Sequence, residues 1–165
     1  LSMLSKIINP QHILELGTYT GYATLCLAEG LKSNGTIDTI DINEELEEIQ
    51  TKYFEKSDLS TKIIQHVGNA LDIVPTLNKK FDLVFIDADK ENYINYWHLI
   101  VPMMNKGGII LSDNVLWSGK VLEEVQKNDK STPILLAYNK LVNEDPRVET
   151  VLLPIRDGLT VSRVL

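Results

Sequence analysis

Two kinds of hydrophobic patterning alternate along the chain. Short apolar runs bounded by glycine or polar residues occur at His12–Leu16, Thr36–Ile42, Lys62–Val67, Phe81–Ile86, Ile109–Ser112, Val148–Pro154 and Leu159–Val164. Runs of this length and composition predict strands. Between them, apolar residues recur every three or four positions, which predicts helices over Leu1–Ile8, Gly21–Lys32, Glu44–Ser57, Ala70–Leu77, Asn92–Met104, Lys120–Lys127 and Pro133–Asp145. Strand and helix follow one another with no linker and no internal repeat, so residues 1–165 read as one doubly wound α/β domain. The last two strands are joined by Ile155-Arg156-Asp157-Gly158, where Asp-Gly supplies the tight turn of a hairpin.

Polar chemistry collects where two of the apolar runs stop. FDLVFIDADKENY, Phe81 to Tyr93, and GGIILSDNVLW, Gly108 to Trp117, each read as a buried strand ending on oxygen ligands. If the two strands are parallel neighbours, both motifs open onto the crevice at the carboxyl ends of the sheet, where open α/β folds bind ligands. Asp87, Asp113 and Asn114 then bring two carboxylates and an amide oxygen together with Lys90 nearby. That set suits a hard divalent cation beside a base, and hence the activation of a hydroxyl group. Each residue also has a plainer reading. Asp113-Asn114 makes a good turn, Asp87 and Asp89 could be solvated loop carboxylates, and Lys90 a surface lysine at a helix start.

A second constellation lies near the start. His12–Leu16 runs into Gly17-Thr18-Tyr19-Thr20-Gly21, and the helical pattern resumes at Tyr22. Glycines at both ends let the backbone turn tightly and approach a ligand. The next strand ends on Asp41, about two dozen residues after Gly17, the place where a carboxylate accepts both ribose hydroxyls in nucleotide-binding folds. A dinucleotide site wants G-x-G-x-x-G so that a pyrophosphate can sit on the helix N-terminus. Here the middle glycine is absent and Glu15 precedes the loop. An acid there repels a pyrophosphate and attracts a cation, so S-adenosylmethionine, with its sulfonium and ammonium groups, matches better than NAD.

On LELGTYTGY, TIDIN, FIDADKENY, LSDNVLW and RDGLTVSRVL, taken in that order along nearly the whole chain, the sequence resembles the cation-dependent O-methyltransferases. That family contains the caffeoyl-CoA and catechol O-methyltransferases, and the chain is most similar in kind to its small bacterial members. The resemblance implies the class I methyltransferase (Rossmann-like) fold, seven mostly parallel strands with an antiparallel last strand. It makes Asp87, Asp113 and Asn114 ligands to Mg²⁺, or to Mn²⁺ or Ca²⁺, and makes Lys90, assisted by Asp87, the catalytic base. It places S-adenosylmethionine against Glu15, Gly17, Tyr19, Gly21, Asp41, Ile42, Asn69, Ala70 and Asp87. Glu15 and Gly17 take the methionine end, Asp41 the ribose, and a backbone group of Ala70 the adenine. Asp89 and Trp117 fall to the substrate; Trp117 reads equally as a core anchor or as an aromatic wall for a planar ring. A phenolic small-molecule substrate with adjacent oxygens and a homodimer are also implied. Such proteins open with several helices over the site, whereas this chain starts abruptly on LSMLSKIINPQHILEL and looks shortened at its N-terminus.

Composition narrows the alternatives. A net charge of −7 disfavours a broad nucleic-acid surface, although a tRNA bearing 5-hydroxyuridine would also offer neighbouring oxygens to a cation. An NAD-dependent oxidoreductase is the alternative from another enzyme class, and a binding domain without catalysis the alternative from outside enzymes. No apolar run is long enough to span a membrane. The one cysteine, Cys26, allows no disulfide within the chain and fits a reducing cytoplasm. His12, His66 and His98 show no metal-binding spacing, and Ser112 lacks the context of a hydrolase nucleophile.

Overall fold

A computed structural model describes residues 1–165. Strands β1 (His12–Leu16), β2 (Thr36–Asp41), β3 (Ile63–Val67), β4 (Phe81–Ile86), β5 (Met104–Asp113), β6 (Val148–Leu153) and β7 (Leu159–Val164) form a single sheet. Their order is β3-β2-β1-β4-β5-β7-β6. The first five strands pair in parallel, and β7 runs antiparallel to both of its neighbours, β5 and β6.

The unbroken apolar runs follow from burial on two faces. On β4, Val84 and Ile86 join one hydrophobic cluster while Leu83 and Phe85 join the other. The larger cluster is closed by helices α4 (Ala70–Ile73), α5 (Tyr93–Ile100) and α6 (Ser131–Glu144); the smaller by α1 (Ser2–Ile8) and α2 (Tyr22–Ala28). Helix α3 (Glu47–Glu55) packs its Phe54 ring against the start of α2. In the larger cluster the rings of Tyr93 and Trp97 both meet Tyr138 edge-on, at 5.2 and 6.0 Å between centroids. No helix is long and apolar enough to cross a membrane.

Several elements depart from the sequence pattern; helices α4 and α5 end early, at Ile73 and Ile100, and pass into 3₁₀ turns at Val74–Thr76 and Val101–Met103 that each contain a proline. No α-helix forms over Lys120–Lys127. Tight 3₁₀ turns span Trp117–Leu122, interrupted at Ser118 and Gly119 by left-handed backbone. The residues after Leu122 are almost all exposed, so nothing pays for a helix there. Helix α2 stops at Ala28 because the chain turns through Gly30 to place the Lys32 N–H on the Pro10 carbonyl, at 3.0 Å. Strand β5 begins at Met104, well before Ile109, because Met104 pairs with Phe81 across a register shift that the two glycines absorb.

Candidate active site

A cavity of about 360 Å³ opens beside the carboxyl ends of β1, β2 and β4. Gly17, Tyr19, Asp41, Ile42, Asn69 and Ala70 line it, as do Asp87 and Asp89. Gly17 has φ +95°, and a Cβ there would lie 2.4 Å from the Asp87 carbonyl oxygen, so the loop after β1 can approach the end of β4 only as glycine. Gly21 serves packing: its missing Cβ makes room for the Phe54 ring, and it does not line the cavity. Asn69 caps α4 by accepting from the Leu71 N–H, and Ala70 is the first residue of that helix.

Asp41 joins two loops. Its Oδ2 accepts the Tyr19 N–H at 2.7 Å and its Oδ1 accepts the Asn43 N–H at 2.9 Å. A carboxylate has about four acceptor positions, so each oxygen keeps one for a ligand in the cavity.

Glu15 stands elsewhere. Its carboxyl is fully buried beneath the loop, facing α2, where Oε2 accepts the hydroxyls of Thr24 and Thr39, while Oε1 has no partner. Thr18 and Thr39 are in turn joined at 2.6 Å. Burial pushes the Glu15 carboxyl up to about 7, with Asp87 and Asp41 adding to the effect of burial and the two threonines opposing it. A raised folded-state pKa means that the folded protein holds a proton the unfolded chain releases, so stability falls as pH rises from about 4.5 to about 7. Glu15→Gln, neutral throughout, should therefore melt increasingly above the unaltered protein over that interval, with a constant advantage at higher pH. Parallel melting curves from pH 4 to 9 would refute the buried acid.

At the ends of β4 and β5 the two motifs meet as neighbours, since Ile86 pairs with Ser112 in the parallel ladder. Lys90 is nearly buried and its Nζ donates to Asp87 Oδ1 at 3.0 Å and to the Tyr93 hydroxyl at 2.6 Å. Burial raises the Asp87 carboxyl above its usual range and Asp113 adds to this, while Lys90 pulls the other way. Asp113 Oδ1 accepts the Asn114 N–H at 2.7 Å, and Asn114 itself takes left-handed backbone at φ 59°. Asp87 Oδ2, Asp113 Oδ2 and the Asn114 amide take no hydrogen bond from the chain. No three His, Cys, Asp or Glu side chains form a closed metal cage. Two carboxylates and one amide do suit Mg²⁺, which keeps several positions for water and substrate.

The two residues expected at the substrate are placed differently. Asp89 is committed within the chain, its oxygens accepting Tyr96 OH at 2.5 Å and Asn92 Nδ2 at 2.7 Å. Trp117 packs against the larger core cluster and also borders a separate, mostly polar cavity of about 530 Å³ formed with residues 120–132. The turn after β6 steadies this region, for Asp157 and Gly158 carbonyls accept the N–H groups of Leu116 and Val115 at 2.9 and 3.3 Å. Tyr93 lay inside the FIDADKENY motif with no role that its spacing could suggest. Its hydroxyl is the group that sequence reasoning missed.

A sheet of this order with one reversed strand, and a cavity over the carboxyl ends of its central strands, defines the class I methyltransferase fold. The chain belongs to the O-methyltransferase family, whose model matches residues 1–165, and it is an O-methyltransferase. It is 38% identical to caffeoyl-CoA O-methyltransferase 5 of Nicotiana tabacum, over 99% of this chain and 72% of that protein. An O-methyltransferase of Bacillus cereus, solved in complex with SAH, superposes with a TM-score of 0.92 at 29% identity, covering 99% of this chain and 78% of that one. TomG of Streptomyces achromogenes, an O-methyltransferase involved in tomaymycin synthesis and solved with SAM, gives 0.91 at 26% identity over 99% and 77% of the two chains.

Proposed function

We propose that residues 1–165 form one methyltransferase domain that binds S-adenosylmethionine in the Asp41–Ala70 cavity and methylates a small-molecule hydroxyl flanked by a second oxygen. The observation that carries this reading is the nearly buried Lys90, held against Asp87 at the edge of that same cavity, with Asp113 and Asn114 on the adjoining strand end. Asp87, Asp113 and Asn114 would hold a divalent cation. When bound, the cofactor supplies an electrophilic methyl group and the cation eases ionisation of the acceptor hydroxyl. The chain does the rest. Asp41 holds the ribose, Gly17 lets the loop close on the cavity, and Lys90 takes the proton that the acceptor oxygen loses as it attacks the methyl carbon. Because the displacement cancels opposite charges, positioning is the protein's main task.

The cofactor half is tested separately from the chemistry. Asp41→Ala removes acceptors for two ribose hydroxyls, hydrogen bonds to a charged group being worth roughly 1.5–3 kcal/mol each. Calorimetry should give at least a tenfold loss of affinity, alike for S-adenosylmethionine and S-adenosylhomocysteine. Unchanged affinity for both, or tighter binding of NADH, would overturn the proposed cofactor.

A further inference from the structure

Tyr93, the first residue of α5, is fully buried, yet its hydroxyl reaches three polar groups at the chemical end of the sheet. The carbonyl oxygens of Ile86 and Asp113, the final residues of β4 and β5, lie 3.1 and 3.0 Å from it, and Lys90 Nζ lies 2.6 Å away. A phenol has one proton and two acceptor positions. The proton goes to one of the two carbonyls, so toward Lys90 the oxygen acts as acceptor.

The lysine's own geometry is then constrained. A neutral amine has two N–H bonds and one lone pair. Asp87 Oδ1 at 3.0 Å and Tyr93 Oη at 2.6 Å match the two N–H donors, leaving one position on nitrogen for the lone pair. The Tyr93 ring also lies under the nitrogen, 4.6 Å from its centroid. That ring is itself fixed: Tyr138 packs edge-on against it and is tied by its hydroxyl to Ser112, next to Asp113.

We infer that Tyr93 is a positioning residue for methyl transfer, its hydroxyl pinned between the last carbonyls of β4 and β5 so that Lys90 presents a single free nitrogen position to the acceptor hydroxyl. The inference rests on Lys90 being the base proposed above. The proton moves from acceptor oxygen to that nitrogen, the oxygen bonds the methyl carbon, and the carbon–sulfur bond breaks. A hydroxyl that instead only braces the strand ends would affect stability and ligand binding, and would act whether or not Lys90 were present.

Tyr93→Phe keeps the ring and deletes the oxygen. With S-adenosylmethionine, Mg²⁺ and catechol as probe acceptor, kcat should fall about tenfold while KM and the cofactor dissociation constant move less than about twofold, the pattern of an interaction that matters only in the transition state. In a Lys90→Ala background the same substitution should change kcat by less than about twofold, because residues acting as a unit are not additive. An unchanged kcat for Tyr93→Phe alone, or an equal loss in both backgrounds, overturns the inference. If Lys90→Ala itself keeps full activity, the base is wrongly assigned. If Lys90→Ala is crippled and Tyr93→Phe is not, only the positioning role fails. Should the Phe variant not fold, a crystal structure of the unaltered protein decides: Lys90 Nζ within hydrogen-bond distance of Tyr93 Oη sustains the inference, and a separation beyond that distance removes it.

Discussion

Asp113→Ala should abolish methyl transfer while leaving S-adenosylmethionine affinity nearly unchanged. Asp113 ends β5 and does not line the cavity that holds Asp41 and Ala70, so its loss leaves that cavity intact. It removes one of the two carboxylates that already feel each other across the strand ends, leaving the proposed cation only Asp87 and Asn114. A hard cation bound through so few protein oxygens does not survive the loss of a charged one. Chelation of the unaltered protein with EDTA should have the same effect, reversed by Mg²⁺ or Mn²⁺. Full turnover in metal-free buffer would remove the cation from the reaction.

Lys90→Ala should lower the maximal rate by about 10² to 10⁴, the usual worth of a positioned general base. The side chain is nearly buried and its nitrogen is held by Asp87 and Tyr93, so the amine is fixed in place beside the cavity. Alkaline pH should reduce the deficit, since the acceptor hydroxyl then ionises without a base. A pH–rate comparison of the two proteins measures both effects, and equal rates at neutral pH would leave Lys90 only a structural partner of Asp87 and Tyr93.

The parts of this molecule that the sequence made legible are those under one strong constraint. Strands β1, β4 and β7 begin and end where the apolar runs do, because β1 and β4 are covered on both faces and β7 starts at the Asp-Gly turn. Asp41, Asp87 and Asp113 were visible as acids interrupting such runs at the carboxyl ends. Less was visible where a residue answers to distant partners. Glu15 sits in the loop motif, but its place beneath the loop depends on Thr24 and Thr39 from two other elements. Asp89 reads as a free carboxylate until Tyr96 and Asn92 fold back onto it. Tyr93 falls on the apolar stripe of α5, and helical spacing alone cannot distinguish a ring that packs from a hydroxyl that also binds. The segment after Trp117 carries enough apolar residues to suggest a helix, yet only their exposure reveals that they have nothing to pack against.

The reversed strand β7 lies between β5 and β6, and the turn that precedes it carries the N–H groups of Val115 and Leu116 on the carbonyls of Gly158 and Asp157. During synthesis β7 leaves the ribosome after both of the strands it separates. The cavity is lined by residues between Gly17 and Tyr96, none of them on the β6–β7 hairpin, whereas the loop after Asp113 gives two of its N–H groups to the hairpin turn. The residues proposed to hold the cofactor thus lie outside the hairpin, while the loop proposed to hold the cation is tied to the last two strands of the sheet.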